Sequence, residues 1–287
     1  MAALTGVLFD GLAYGSLLFL ISIGLAVTMG LMNFVNLAHG AFAMFGGYLA
    51  ASTMHVLGVP FLFALLIAFV GAALLGFVLE RLFYCRLYGA SPLDQVLFSI
   101  GLVFISIAAA TYFFGPGQEP VALPSWLLGQ AHVLGIDLGI YRIFLIVAVA
   151  LLALALWGLL EHTRLGSWVR AAVDHRDAAE GLGIPVSAVF TVTFAIGSGL
   201  AGLGGALGVD VLGLDPNFPL KYMVYFLLVV AVGGSGSLAG PLLAALLLGV
   251  IDVAGKYYVP QLGAFVIYAL MVVLLLAFPA GLIKRRS

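Results

Sequence analysis

Between Asp10 and Glu80 the chain carries no aspartate, glutamate, lysine or arginine. A stretch of that length without charge cannot form the surface of a water-soluble domain, where charged side chains are spread over the exterior. At roughly 20 residues for each crossing of a bilayer, it holds about three apolar helices. The rest of the chain agrees: 8% of its residues are charged, against roughly a quarter in ordinary soluble domains. Membrane-spanning strands would need apolar and polar residues to alternate over about ten positions each, and none of the long apolar runs alternates. The expected fold is an all-α integral membrane protein, a polytopic helical bundle forming a single transmembrane domain.

The one cysteine, Cys85, has nothing to pair with in the chain and supplies no thiolate cluster, so neither a disulfide framework nor a metal site is expected. Residues 1–9 hold no lysine or arginine and run directly into a span, so no cleavable leader is expected and the mature chain is expected to begin at Met1.

Apolar runs between charges and turn residues predict spans at 12–29, 38–57, 61–79, 96–114, 141–160, 185–209 and 262–283. A further stretch, 222–251, is interrupted by Gly233-Gly234-Ser235-Gly236-Ser237. It reads either as two short helices meeting at a break or as a re-entrant half-helix followed by a crossing, giving eight or nine spans in all. Basic residues near span ends favour the cytoplasm. One orientation places Arg81, Arg86, Arg164, Arg170, Arg176, Lys284, Arg285 and Arg286 inside, and leaves Arg142, Lys221 and Lys256 outside. It puts the amino terminus outside, the carboxyl terminus in the cytoplasm, and the polar segment 115–140 on the outer face. Close helix packing is signalled at 197–208, where Gly, Ala and Ser recur at the spacing that lets helix backbones approach in lipid.

Three interruptions carry the functional information. The first is Met32-Asn33-Phe34-Val35-Asn36-Leu37-Ala38-His39-Gly40, where two amides and an imidazole break an uncharged region. Polar groups there must pair, cap a helix or line a cavity, and the sequence leaves capping by Asn33 and Asn36 and cavity lining both open. The second is the break at Gly233–Ser237 followed by Leu238-Ala239-Gly240-Pro241, which echoes Asn36-Leu37-Ala38-His39-Gly40. That echo suggests two structural halves, 1–114 and 141–287, with broken helices facing a pathway as in repeat-built transporters. The third is the segment 164–185, the densest cluster of charge in the chain. Its helix formers from Val169 to Ala179 and its stop signals Gly183 and Pro185 predict a short amphipathic helix lying flat on the inner face.

Three phrases, in this order and spacing, resemble the branched-chain (hydrophobic) amino acid ABC importer family, in particular its shorter LivH-type permease subunit. They are Gly30-Leu31-Met32-Asn33-Phe34-Val35-Asn36-Leu37-Ala38-His39-Gly40, the segment Arg170-Ala171-Ala172 with Ala178, Ala179 and Leu182-Gly183-Ile184, and Gly233-Gly234-Ser235-Gly236-Ser237-Leu238-Ala239-Gly240-Pro241. The resemblance covers essentially the whole chain. It implies that 170–184, through Arg170, Ala171, Ala172, Asp174, Ala178, Ala179, Gly183 and Ile184, acts as the coupling helix that seats on a cytoplasmic ATPase. The general importer motif opens with Glu-Ala-Ala, where this chain has Arg170-Ala171-Ala172. It also implies a second related permease subunit, two cytoplasmic ATPase subunits and an external solute-binding protein.

No Gly-x-x-x-x-Gly-Lys-Ser/Thr loop occurs, so no cofactor is expected in this chain, and ATP and magnesium are expected on the partners. The implied function is import of branched-chain or other hydrophobic amino acids, or related small solutes, across a bacterial or archaeal inner membrane by alternating access. The pathway is expected to be apolar, with Asn33, Asn36, His39, Ser235 and Ser237 as its polar lining. Asp10, Asp210 and Asp252 read as boundary residues, leaving no buried charge to clamp a substrate. Two rivals read less well. An ion-coupled transporter would have only His39 and His55 at mid-membrane. An intramembrane serine protease, suggested by Gly233-Gly234-Ser235-Gly236, has no histidine after His175 to serve as its base.

Overall fold

The computed structural model describes residues 2–32, 34, 36–121, 123–133, 136–234, 238–277 and 281. Its helices are α1 (Ala2–Met32), α2 (His39–Leu57), α3 (Phe61–Leu82), α4 (Pro92–Phe114), α5 (Ile140–His162), α6 (Arg164–Asp174), α7 (Arg176–Gly181), α8 (Val186–Leu212), α9 (Phe218–Gly233), α10 (Ala239–Tyr258) and α11 (Gly263–Ala277). The chain is an all-α, multi-pass membrane protein. Among the described residues six helices, α1, α3, α4, α5, α8 and α10, are long and apolar enough to cross a bilayer. The interrupted stretch resolves by length: the 16 residues of α9 span about 24 Å, short of the roughly 30 Å hydrocarbon core, whereas α10 is long enough to cross. Ser235 and Ser237, in the break itself, lie outside the described residues.

Local chemistry sets the helix ends. Ser91 caps α4, its Oγ accepting from the Asp94 amide at 3.2 Å, with Pro92 following at the first helical position. Gly58, at φ +63°, closes α2 in the left-handed conformation. Between α4 and α5, the strands β1 (Gln130–Val133) and β2 (Ile136–Gly139) pair antiparallel with Gln130 opposite Gly139. This hairpin marks one end of the bundle, and α6 and α7 mark the other.

Two helices form the centre. Of the apolar windows of α1 and α8, 83% and 67% are buried, against 28%, 17% and 11% for α3, α4 and α5. The outer three therefore turn leucine, valine and phenylalanine towards lipid, including Leu66, Phe104 and Leu151. The small residues of α8 allow this centre to close. A Cβ on Gly202 would meet the Ala72 side chain and the Ala68 carbonyl of α3, and one on Gly46 of α2 would fall on the Gly202 backbone. Without a hydrophobic drive between helices in lipid, such backbone approach supplies the dispersion contacts that hold the bundle. The largest helix contacts pair α1 with α10 and α3 with α8, so each end of the chain packs into the other.

Candidate transport and coupling site

The first interruption turns back into the bundle. From Ile21, α1 continues to Met32, about 16 Å at 1.5 Å per residue. Yet His39, shortly after Met32, donates from Nε2 to the Ile21 carbonyl at 2.8 Å. α2 therefore starts deep inside the protein. Asn36, 1% exposed, shapes the turn that leads there: its Oδ1 accepts from the Ala38 amide at 3.0 Å and from the Tyr84 hydroxyl at 2.9 Å. Its Nδ2 is buried and has no partner among the described residues. Asn33 lies outside the described residues.

A second turn meets this one. α8 stops at Gly213, φ +72°, and the chain reaches α9 through 214–217, where the Asn217 amide donates to Asp215 Oδ1 at 2.8 Å. The Tyr222 hydroxyl ties the new helix back to the Leu212 carbonyl at 2.6 Å. A Cβ on Gly40 would sit 3.0 Å from Cα of Pro219 and 3.4 Å from the Phe226 ring, so α2 and α9 begin against each other. The sequence echo matched Asn36–Gly40 with Gly233–Pro241; the packing sets Gly40 against the start of α9 at Pro219. The later break is a tight corner in its own right, with Gly234 at φ +84° and Gly233 lying against Gly240 and Pro241.

At the opposite end from the hairpin, 164–181 forms two helices where the sequence predicted one. His175 is extended, at φ −149° and ψ 92°, and separates α6 from α7. Thr163 caps α6 through the Gly166 amide at 3.2 Å. Val169 and Ala172 face inward and Ala179 is buried, while Ala171 and Ile184 are half-buried. Arg170, Asp174, Ala178 and Gly183 are exposed, and Leu182 is 82% exposed. The Arg170 guanidinium donates to the Leu160 carbonyl and lies 3.7 Å from Glu161. Arg170 and Asp174 also line a cavity of about 330 Å³ reaching Gly30 on α1, Trp157 on α5 and Leu238 before α10. The segment thus meets α1 and shares a cavity with Leu238, just past the second break.

Two acidic residues depart from the sequence reading. Asp252, expected at the membrane boundary, is 1% exposed, and so is Glu80 at the end of α3. Asp10 is partly exposed and Asp210 exposed. Asp252 accepts from Lys256 Nζ at 2.5 Å and from the Tyr225 hydroxyl at 3.4 Å. Glu80 Oε1 accepts from the Tyr88 hydroxyl at 2.6 Å. Burial first, and then that bond, raise the Tyr88 pKa far above the ordinary tyrosine range, so it remains a donor. The spacing of Asp252 and Lys256, one helical turn apart, was the readable signal for the first cluster. Glu80 and Tyr88 are only eight residues apart but lie on either side of a turn, and nothing local marks Tyr84 as the partner of Asn36, 48 residues away.

An apolar bundle, two helices that start inside it and an amphipathic pair exposed at one end define a membrane transport protein. A family model described as branched-chain amino acid transport system / permease component matches residues 7–275. The high-affinity branched-chain amino acid transport system permease protein LivH of Salmonella typhimurium is 27% identical over 97% of this chain and 94% of its own. The corresponding protein BraD of Pseudomonas aeruginosa is 27% identical over 97% and 95%. A probable branched-chain amino acid transport permease protein LivH of Methanocaldococcus jannaschii is 24% identical over 96% and 91%. No solved structure matches the chain. The chain belongs to this family of permease components and is a multi-pass transport permease subunit of the ABC-importer type.

Proposed function

We propose that this permease imports branched-chain or other hydrophobic amino acids across a bacterial or archaeal cytoplasmic membrane, with a second related permease subunit, two cytoplasmic ATPase subunits and an external solute-binding protein. ATP and magnesium are held by the ATPases, and the chain itself needs no cofactor. The observation that carries the reading is α6–α7, whose exposed face and projecting Leu182 present an apolar contact beside charged groups at one end of the bundle. With that end in the cytoplasm, the amino terminus and hairpin face outward. ATP-driven closure of the ATPase pair pushes on Arg170–Ile184 and rocks the helices between outward and inward openings.

The two halves are 1–114 and 141–287, which hold α1–α4 and α5–α11, and they pack on one another through α1 on α10 and α3 on α8. The facing starts of α2 and α9 lie on the pathway, where Asn36 and His39 supply polar groups in an apolar wall. Membrane vesicles containing the assembled importer test the reading. Uptake of leucine, isoleucine or valine stops without ATP and persists when ion gradients are collapsed; the reverse pattern is that of an ion-coupled carrier. Leu182→Asp abolishes co-purification of the ATPase.

A further inference from the structure

An unbroken line of side chains joins α7 to the deep turn before α2. The guanidinium of Arg176, the first residue of α7, lies 5.3 Å from the ring centroid of Phe190 on α8. Phe190 meets Tyr88 edge-on at 5.4 Å, Tyr88 meets Phe34 at 6.4 Å, and Phe34 meets Tyr84 at 5.2 Å. Tyr84, fully buried, ends the line by donating to Asn36. The ring pairs are edge-to-face at separations of roughly 4.5–7 Å, where aromatic rings attract. Tyr88 in this line is also hydrogen-bonded to α3, through its 2.6 Å bond to Glu80. Glu80 Oε2 has no hydrogen-bond partner among the described residues, and Arg81 Nε approaches it only to 4.0 Å. A buried carboxyl left half satisfied is unfavourable, and packing alone gives no reason for it.

We propose that Tyr88, held by Glu80, is a positioning residue that makes the start of α2 follow the movement of α7. The proposal rests on reading α6–α7 as the ATPase-docking segment. Displacement of α7 carries Arg176 and Phe190 against Tyr88. Because the Tyr88 hydroxyl is anchored to α3, the ring cannot slide aside, and the displacement passes through Phe34 and Tyr84 to Asn36, which sets the turn into α2. A phenylalanine at the same place keeps the ring contacts and loses the anchor. The expected consequence is loss of coupling with the bundle still folded.

The test uses the assembled importer with spin labels at Val56→Cys, exposed at the far end of α2, and Leu151→Cys, exposed on α5, in a Cys85→Ser background. ATP binding is expected to shift the distance between the labels in the otherwise unaltered complex. Tyr88→Phe reduces the shifted population by about tenfold, the scale of one hydrogen bond to a charged group, while ATP hydrolysis stays near that of the parent and the melting temperature falls, because Glu80 is left buried without its hydrogen bond. Glu80→Gln, which keeps an acceptor for Tyr88, retains most of the shift. Adding Arg176→Ala to Tyr88→Phe causes little further loss, because both cut one line. If Tyr88→Phe does not assemble, Phe34→Leu cuts the line one ring further on and gives the same uncoupling. The proposal is overturned if α2 does not move on ATP binding, if it moves as far in the Tyr88 and Phe34 variants as in the parent, or if the Arg176 and Tyr88 effects simply add. Leu182→Asp keeps the two readings apart. An ATPase that still co-purifies with it refutes the docking assignment, whereas lost docking with normal movement in Tyr88→Phe refutes the relay alone.

Discussion

Asp252 on α10 and Glu80 on α3 are equally buried, at 1% exposure, yet their surroundings differ. Towards the hairpin end, Asp252 has a partner for each oxygen, Lys256 at 2.5 Å and Tyr225 at 3.4 Å. Lys256 also lies 5.5 Å from the Tyr14 ring, so α1, α9 and α10 are drawn together around one charge. Towards the α6–α7 end, Glu80 has one tyrosine, while its other oxygen has the Arg81 guanidinium no nearer than 4.0 Å and no hydrogen bond among the described residues. A satisfied buried network stiffens its surroundings, and a partly satisfied one leaves an opening for a change of partner. The first carboxylate acts as a clamp, and the second keeps an unused valence beside the segment assigned to energy input.

Removing a partner should therefore hurt most where the network is closed. Lys256→Ala leaves Asp252 buried with one long hydrogen bond, and because Lys256 itself is about half exposed it should destabilise the protein by about 3 kcal/mol, the lower end for breaking a buried pair, visible as a large fall in melting temperature in detergent. A smaller loss than at any other site below would break the comparison. Asn36→Ala strands the Tyr84 hydroxyl in a fully buried position and removes the acceptor for the Ala38 amide; about 2–3 kcal/mol is expected in the same melting experiment. Tyr225→Phe takes away the 3.4 Å bond and leaves the ion pair, so under about 1 kcal/mol should be lost. A loss as great as that of Lys256→Ala would mean that tyrosine, and not lysine, closes the clamp. Asp10→Asn breaks the pair with Arg142, both partners being partly exposed, and should change stability by about 0–1 kcal/mol.

Much of the bundle was legible in the sequence because membrane spans announce themselves by length and absence of charge. The predicted spans at 61–79, 96–114 and 141–160 fall within α3, α4 and α5. Depth was not legible. Asn33 to Gly40 reads as a turn from its composition, but only the contact between His39 and Ile21 places that turn inside the protein. For the same reason Asp252 looked like a boundary residue and the burial of Glu80 was not foreseen: sequence gives the position of a charge along a helix and not the neighbours that cover it. Charge and helix formers located 164–185, but nothing there signalled that His175 would adopt an extended conformation and divide it. The aromatic line through Phe34, Tyr84, Tyr88 and Phe190 joins residues from distant parts of the chain, a property that local pattern cannot carry.

The exchange of partners between the ends of the chain also governs how the protein is made. α1 leaves the ribosome well before α10, yet α10 is its main packing surface. At roughly 5–20 residues per second, α10 is synthesised on the order of ten to forty seconds later. During that interval Gly11 and Gly15, whose backbones finally lie against Val250 and Ala245, face lipid or the insertion machinery. The first four helices cannot complete a core as an early unit, and assembly has to wait for the last third of the chain.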